Sequence, residues 1–201
     1  LSATLELYLH EELELAERLR ALELLGQSYV SLGEAEAAIR TFEDLHALDS
    51  ANVTAVRALD ALYEKQGEFE KLVTHSHLVE AIAESAEQRR TIVLRDVSVL
   101  VNKLDRKEDA AERLMEAEAH GFSDSSLRHQ LATLQEELGQ FEPLLATLGK
   151  LRETSDAAAT AKLFVRSGNA ALKASHNEEG VGYFEEAYVR GEEADARVGL
   201  L

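Results

Sequence analysis

One register runs through this chain and occurs five times. A small or short side chain stands at Gly26, Asp60, Ser98, Ala132 and Gly168, at steps of 34, 38, 34 and 36 residues. A second position keeps the same steps through Ala38, Leu72, Ala110, Leu144 and Gly180. Two positions holding one spacing argue for tandem repetition more strongly than either alone, and a period of this length marks stacked supersecondary units. Between them each repeat carries a turn position, Gly33, Gly67, Asp105, Gly139 or Ser175. Glycine reaches the left-handed backbone region there, ending one helix and starting the next within a few residues.

The units are helical hairpins. Apolar residues recur at helical rather than strand spacing, as in Val56, Leu59, Leu62 and Tyr63, or Ile39, Phe42 and Leu45. Leu, Ala and Glu dominate, all strong helix formers. The single proline, Pro143, falls in the first turn expected of a helix after Gly139. Its missing N–H costs nothing there, because first-turn donors have no intrahelical acceptor. Asp49-Ser50-Ala51-Asn52 and Gly121-Phe122-Ser123-Asp124 read as junctions that cap the next helix.

The run Leu22-x-x-Leu25-Gly26-x-x-Tyr29, followed by Gly33, Ala38, Phe42 and Leu45, resembles the tetratricopeptide (TPR) pattern, and it returns in weakened form four more times. The resemblance implies an all-α, right-handed superhelix (solenoid) of TPR-like hairpins over residues 1–201. The expected repeats are 19–52, 53–86, 91–124, 125–158 and 161–194, with 1–18 and 195–201 as partial flanking repeats. Residues 1–32 fit either one long helix or two. The chain departs from the family pattern at Asp60, at Ser76 in the place of an aromatic, and at extra residues around Glu84–Arg90 and Asp156–Thr160.

In that family the first helix of each hairpin lines a concave, ligand-facing surface. By register this implies a peptide- or partner-binding set of Arg57, Lys65, Arg95, Asn102, Lys103, His129, Lys162, Asn169 and Lys173. Cations gathered there suit an acidic or C-terminal peptide through charge-assisted hydrogen bonds. The plainer reading pairs them with neighbours such as Asp60, Glu64 and Asp96. The family's carboxylate clamp for chaperone tails is not reproduced, since Gln27, Ala61 and Ile92 stand where its asparagines and a lysine belong.

The chain carries 38 acidic against 21 basic residues, a formal charge of -17, and residues 1–50 alone hold eleven acidic side chains against three basic. Nucleic acid and anionic membrane would be repelled, so a protein or peptide is the expected partner. There is no cysteine, which removes disulfides and thiolate chemistry and fits a reducing, cytoplasmic setting. His75 and His77 lie about 200° apart around a helix and cannot share one metal ion. Gly149-Lys150 lacks the earlier glycine of a phosphate loop. No cofactor or catalytic set is expected.

The chain begins at Leu1 and ends at Leu201, and its Ala/Glu/Leu/Arg-rich style reads as a piece of a larger bacterial protein. Cut ends of a repeat array favour self-association. The function expected is a non-catalytic interaction scaffold. Two alternatives stay open, a peptide- or effector-sensing domain of a regulator and an assembly factor of the cell envelope.

Overall fold

The computed structural model describes residues 2–9, 14–121 and 124–191. Among these it holds α1 (Ser2–Leu9), α2 (Leu15–Leu32), α3 (Ala35–Leu48), α4 (Val53–Gln66), α5 (Phe69–Ala81), α6 (Ala86–Asn102), α7 (Lys107–Ala119), α8 (Ser125–Glu137), α9 (Phe141–Thr154), α10 (Ala157–Lys173) and α11 (Asn177–Val189), and no strand. The partial repeat expected at 195–201 lies outside the described residues. So do Phe122 and Ser123 of the expected cap.

All five turn positions take up the left-handed conformation, with φ of 79° at Gly33, 72° at Gly67, 53° at Asp105, 68° at Gly139 and 66° at Ser175. At four of them the following amide reaches back to close the helix: Glu34 to Tyr29 O, Glu68 to Tyr63 O, Gln140 to Gln135 O and His176 to Ala171 O, at 2.8–3.0 Å. This reverse hydrogen bond is the usual way a helix satisfies its last carbonyls before a left-handed residue.

Helix starts follow a different rule. The helices that open hairpins at 53, 86, 125 and 157 are capped by Asn52, Ser85, Asp124 and Asp156, whose side chains accept from the amide three residues on. Those that close hairpins, α3, α5, α7, α9 and α11, have no side-chain cap. They start directly from the turn. Pro143 sits in the first turn of α9, as expected.

The extra residues of the sequence lengthen hairpin-opening helices. α6 begins at Ala86 and α10 at Ala157, so each runs 17 residues where α4 has 14. Ser85 and Gln88 set the first of these starts: Ser85 Oγ accepts from Gln88 N, and Gln88 Oε1 accepts from Glu84 N at 2.7 Å.

The chain divides into two compact units, Leu1–Leu104 and Asp105–Leu201. In the first, α1 to α6 pack in consecutive pairs. Its core joins Leu22, Leu25, Ile39, Phe42, Leu45, Leu59, Tyr63, Leu72 and Val99. α1 and α2 are separate helices that lie against each other, with the Tyr29 hydroxyl donating to the Glu6 carboxylate and Leu5 packing on the core. In the second unit, α7 to α11 also pack consecutively. Leu144, Leu148, Leu151 and Leu163 form one cluster there, and Phe184, Ala187, Phe164 and Val165 another.

Glycine and aromatic meet face to face in the first and last hairpins. A Cβ on Gly26 would lie 2.7–2.9 Å from the Phe42 ring, and one on Gly168 2.7–2.8 Å from Phe184. Each ring seals the crossing of its own hairpin. The two phenylalanines belong to separate cores, each in its own unit.

Candidate interaction surface

The second hairpin lacks this seal. Asp60 replaces the glycine of α4 and Ser76 the aromatic of α5, so an oily plug is missing where the helices cross. Polar groups from α6 fill it. Arg95 Nη1 donates to Asp60 Oδ2 at 2.7 Å, and Nη2 stands 3.4 Å from Asp96 Oδ1. Asp96 and Ser76 are fully buried. His75 is buried beside them, its Nε2 donating to Val56 O at 2.9 Å and its ring meeting Tyr63 edge-on. Burial holds this imidazole below its usual pKa.

Arg57 and Arg95 occupy equivalent slots but meet different fates. Arg57 leaves 59% of its side chain exposed and pairs with the rim carboxylate of Glu84 at 3.4 Å, whereas Arg95 is 19% exposed and held by two aspartates. The pairing of Arg95 with Asp60 and Asp96 therefore takes it off the free surface. Beside Arg57 a groove runs between the end of α5 and the start of α6, with Val79, Ile82, Ala83 and Ile92 as its apolar floor and Gln88 on its rim. The lengthened start of α6 builds one wall.

The other sequence-derived residues are exposed. Lys65 lies on α4, and Asn102 on α6 donates to Ser98 at 3.2 Å. Lys103 sits 5.8 Å from the Phe69 ring centre. In the second unit His129 lies on α8 and Lys162 and Asn169 on α10, while Lys173 stands 5.2 Å over Phe141. Cation–π contacts of this kind hold a lysine loosely and leave its charge available. What register alone did not reveal is the buried set of Ser76, Asp96 and His75.

The second unit contributes a shallower groove, lined by Phe164, Gly182, Tyr183, Glu186 and Arg190. Arg152 lies over both the Phe164 and Tyr183 rings, at 4.8 and 4.9 Å from their centres. On α7, Glu118 accepts from Arg128 at 2.6 Å and Lys150 at 2.8 Å, and though burial opposes ionisation these two cations keep its carboxyl low. Among the described residues no helix is long and apolar enough to cross a membrane, and no group of three or more His, Asp or Glu is placed to hold a metal.

Left-handed turns, glycine–aromatic crossings and consecutive packing together define an all-α chain of tetratricopeptide-like helical hairpins. No family model matches the sequence, and no curated protein matches it. Among solved structures it is similar to YrrB, described as a TPR protein with an unusual peptide-binding site, at 16% identity over 98% of this chain and 97% of that one, with a TM-score of 0.45. It is likewise similar to MamA, at 18% identity over 89% and 94% and a TM-score of 0.45. A tetratricopeptide repeat protein from Parabacteroides merdae matches at 18% identity over 99% and 89%, with a TM-score of 0.41.

Proposed function

We propose that this chain is a non-catalytic interaction module that holds a partner protein or peptide on the exposed faces of its hairpin-opening helices. The observation that carries the reading is Arg57. It is an exposed, loosely paired cation beside an apolar groove, on a helix whose other side is committed to the core. An apolar floor with one charge at its edge suits an extended segment bearing an apolar side chain next to a carboxylate. Lys65, Asn102 and Lys103 extend the polar part of this face within the first unit, and His129, Lys162, Asn169 and Lys173 supply its counterpart in the second. Arg95 serves as a support beneath the face, because two aspartates already hold it.

A photo-crosslinking side chain at Arg57, compared with one at Lys71 on α5, would capture the partner in the native cell. With that partner purified, Arg57→Glu and Lys103→Glu are each expected to weaken binding by about tenfold, the loss of one charge-assisted contact. Equal crosslinking from both positions, or affinity unchanged in both variants, removes this face from consideration.

A further inference from the structure

Arg57 already has a carboxylate beside it. Glu84, in the linker between α5 and α6, brings Oε1 to 3.4 Å from Arg57 Nη2. That is longer than the about 2.7–2.9 Å of a well-made charge-assisted bond. The Glu84 side chain is 77% exposed, so the pair is weak and readily exchanged.

The backbone behind that carboxylate is tied down. Arg89 Nη2 donates to Ala83 O at 3.0 Å, and Glu84 N donates to Gln88 Oε1 at 2.7 Å. Ser85, the next residue, is extended and caps α6. Glu84 can therefore leave Arg57 by side-chain rotation while the linker stays in place. Beside Arg57 the groove encloses about 590 Å³, with Val79, Ile82 and Ile92 in its floor. That lies within the about 300–1,000 Å³ of small-ligand clefts. Charges at its mouth leave room for an acid: Arg89 and Arg90 stand near Arg57, and Glu87 is paired with Arg90 at 3.7 Å.

We propose that Glu84 is a built-in competitor for this groove: its carboxylate holds Arg57 in the free chain and must give way to a side-chain carboxylate of the bound segment. The inference rests on the reading of Arg57 as the charge that anchors a partner. The internal contact indicates the chemistry of the occupant. A side-chain carboxylate two residues after Ile82 of the floor already meets Arg57, so its replacement is an acidic side chain next to an apolar one. Affinity is then set by two carboxylates contending for one guanidinium.

The probe is the peptide acetyl-Ser-Gly-Leu-Asp-Gly-Ser-amide, titrated into the full chain with the methyl signals of Val79, Ile82 and Ile92 as readout. Glu84→Gln is expected to bind it about two- to fivefold more tightly than wild type, the range of an exposed pair removed. Glu87→Gln takes the same charge from the same mouth without freeing Arg57, and should give less than half that gain. On an Arg57→Ala background the Glu84 change should bring no gain. Equal affinity in wild type and Glu84→Gln, an equal gain from Glu87→Gln, or a gain that survives Arg57→Ala overturns the competitor. The groove reading still stands in those cases if Arg57→Ala weakens binding. If Arg57→Ala leaves the affinity unchanged, or asparagine in place of the peptide's aspartate binds as well, both fall. A peptide ending at leucine with a free carboxylate is the remaining arm: a Glu84→Gln gain confined to it would make the occupant a chain end and overturn the side-chain assignment. Absence of binding by every peptide to every variant overturns the proposal.

Discussion

Two glycines are held in place by the ring opposite them. An alanine at Gly26 or Gly168 would drive its methyl to within 3 Å of a buried phenyl ring that has nowhere to retreat. Overpacking of this kind costs about 1–3 kcal/mol, against a helix-propensity gain of about 1 kcal/mol. Gly26→Ala is therefore expected to lower the urea midpoint, and adding Phe42→Leu should restore part of the loss, since the smaller side chain gives the methyl room. If the double variant is simply the sum of the two singles, the contact is not the cause. Gly182 provides the contrast. It lies inside α11 with nothing within 4 Å of an added Cβ, so Gly182→Ala should stabilise by about 0.5–1 kcal/mol. Titration adds a further test at this scale. The folded state holds His75 neutral, so its contribution is present above the usual imidazole pKa of about 6.5 and is lost as pH falls below it. His75→Gln keeps a donor for Val56 O without a charge to gain. It should lose less stability than wild type between pH 7 and pH 5 in urea melts; parallel curves would show that His75 does not couple to folding.

At the scale of the helix, the division of labour lies in the caps. The hairpin-opening helices α4, α6, α8 and α10 rely on a side chain to satisfy a free amide, whereas hairpin-closing helices are started by the left-handed turn before them. Asn52→Ala and Asp124→Ala should each cost about 0.5–2 kcal/mol in chemical denaturation. Glu68→Ala and Gln140→Ala, at starts with no side-chain cap, should cost under about 0.5 kcal/mol. Equal losses in both sets would refute the division. These elements also show what was legible beforehand. Turn positions could be read even at Asp105 and Ser175, because the register fixed them where residue type did not. The lengthened starts of α6 and α10 were harder to place, since added residues fit a longer helix or a longer loop equally well. A signal for the longer helix was present but unread in Ser85-x-x-Gln88, whose side chains both cap the start of α6. The buried polar junction was hidden for a deeper reason. Asp60 and Ser76 each look like a local departure, and only their meeting across one helix crossing makes a space that Arg95 and Asp96 must fill. Pairing of Arg95 with these aspartates was foreseeable from neighbouring charges, but its burial was not.

For the whole molecule, the decisive property is that stability is local. Helices contact their neighbours in sequence within each unit, and the clusters around Phe42, Leu148 and Phe184 are each drawn from residues of a single unit. In such arrays stability is close to a sum of repeat and neighbour contributions, so damage spreads only as far as packing carries it. Phe42 and Phe184 allow a symmetrical test, because each is fully buried and each seals a glycine crossing in a different unit. Phe→Leu at either site removes part of the aromatic packing, a fraction of the about 3–5 kcal/mol that full truncation to alanine costs. Hydrogen exchange on the intact chain should show Phe42→Leu lowering protection in α2 and α3 while α10 and α11 keep wild-type values, and Phe184→Leu doing the reverse. A uniform fall across both units after either change would mean that one cooperative core holds the chain together. Separate responses would match what an interaction module needs. The face around Arg57 could then lose or gain order with its partner while the hairpins closed by Phe184 stay folded.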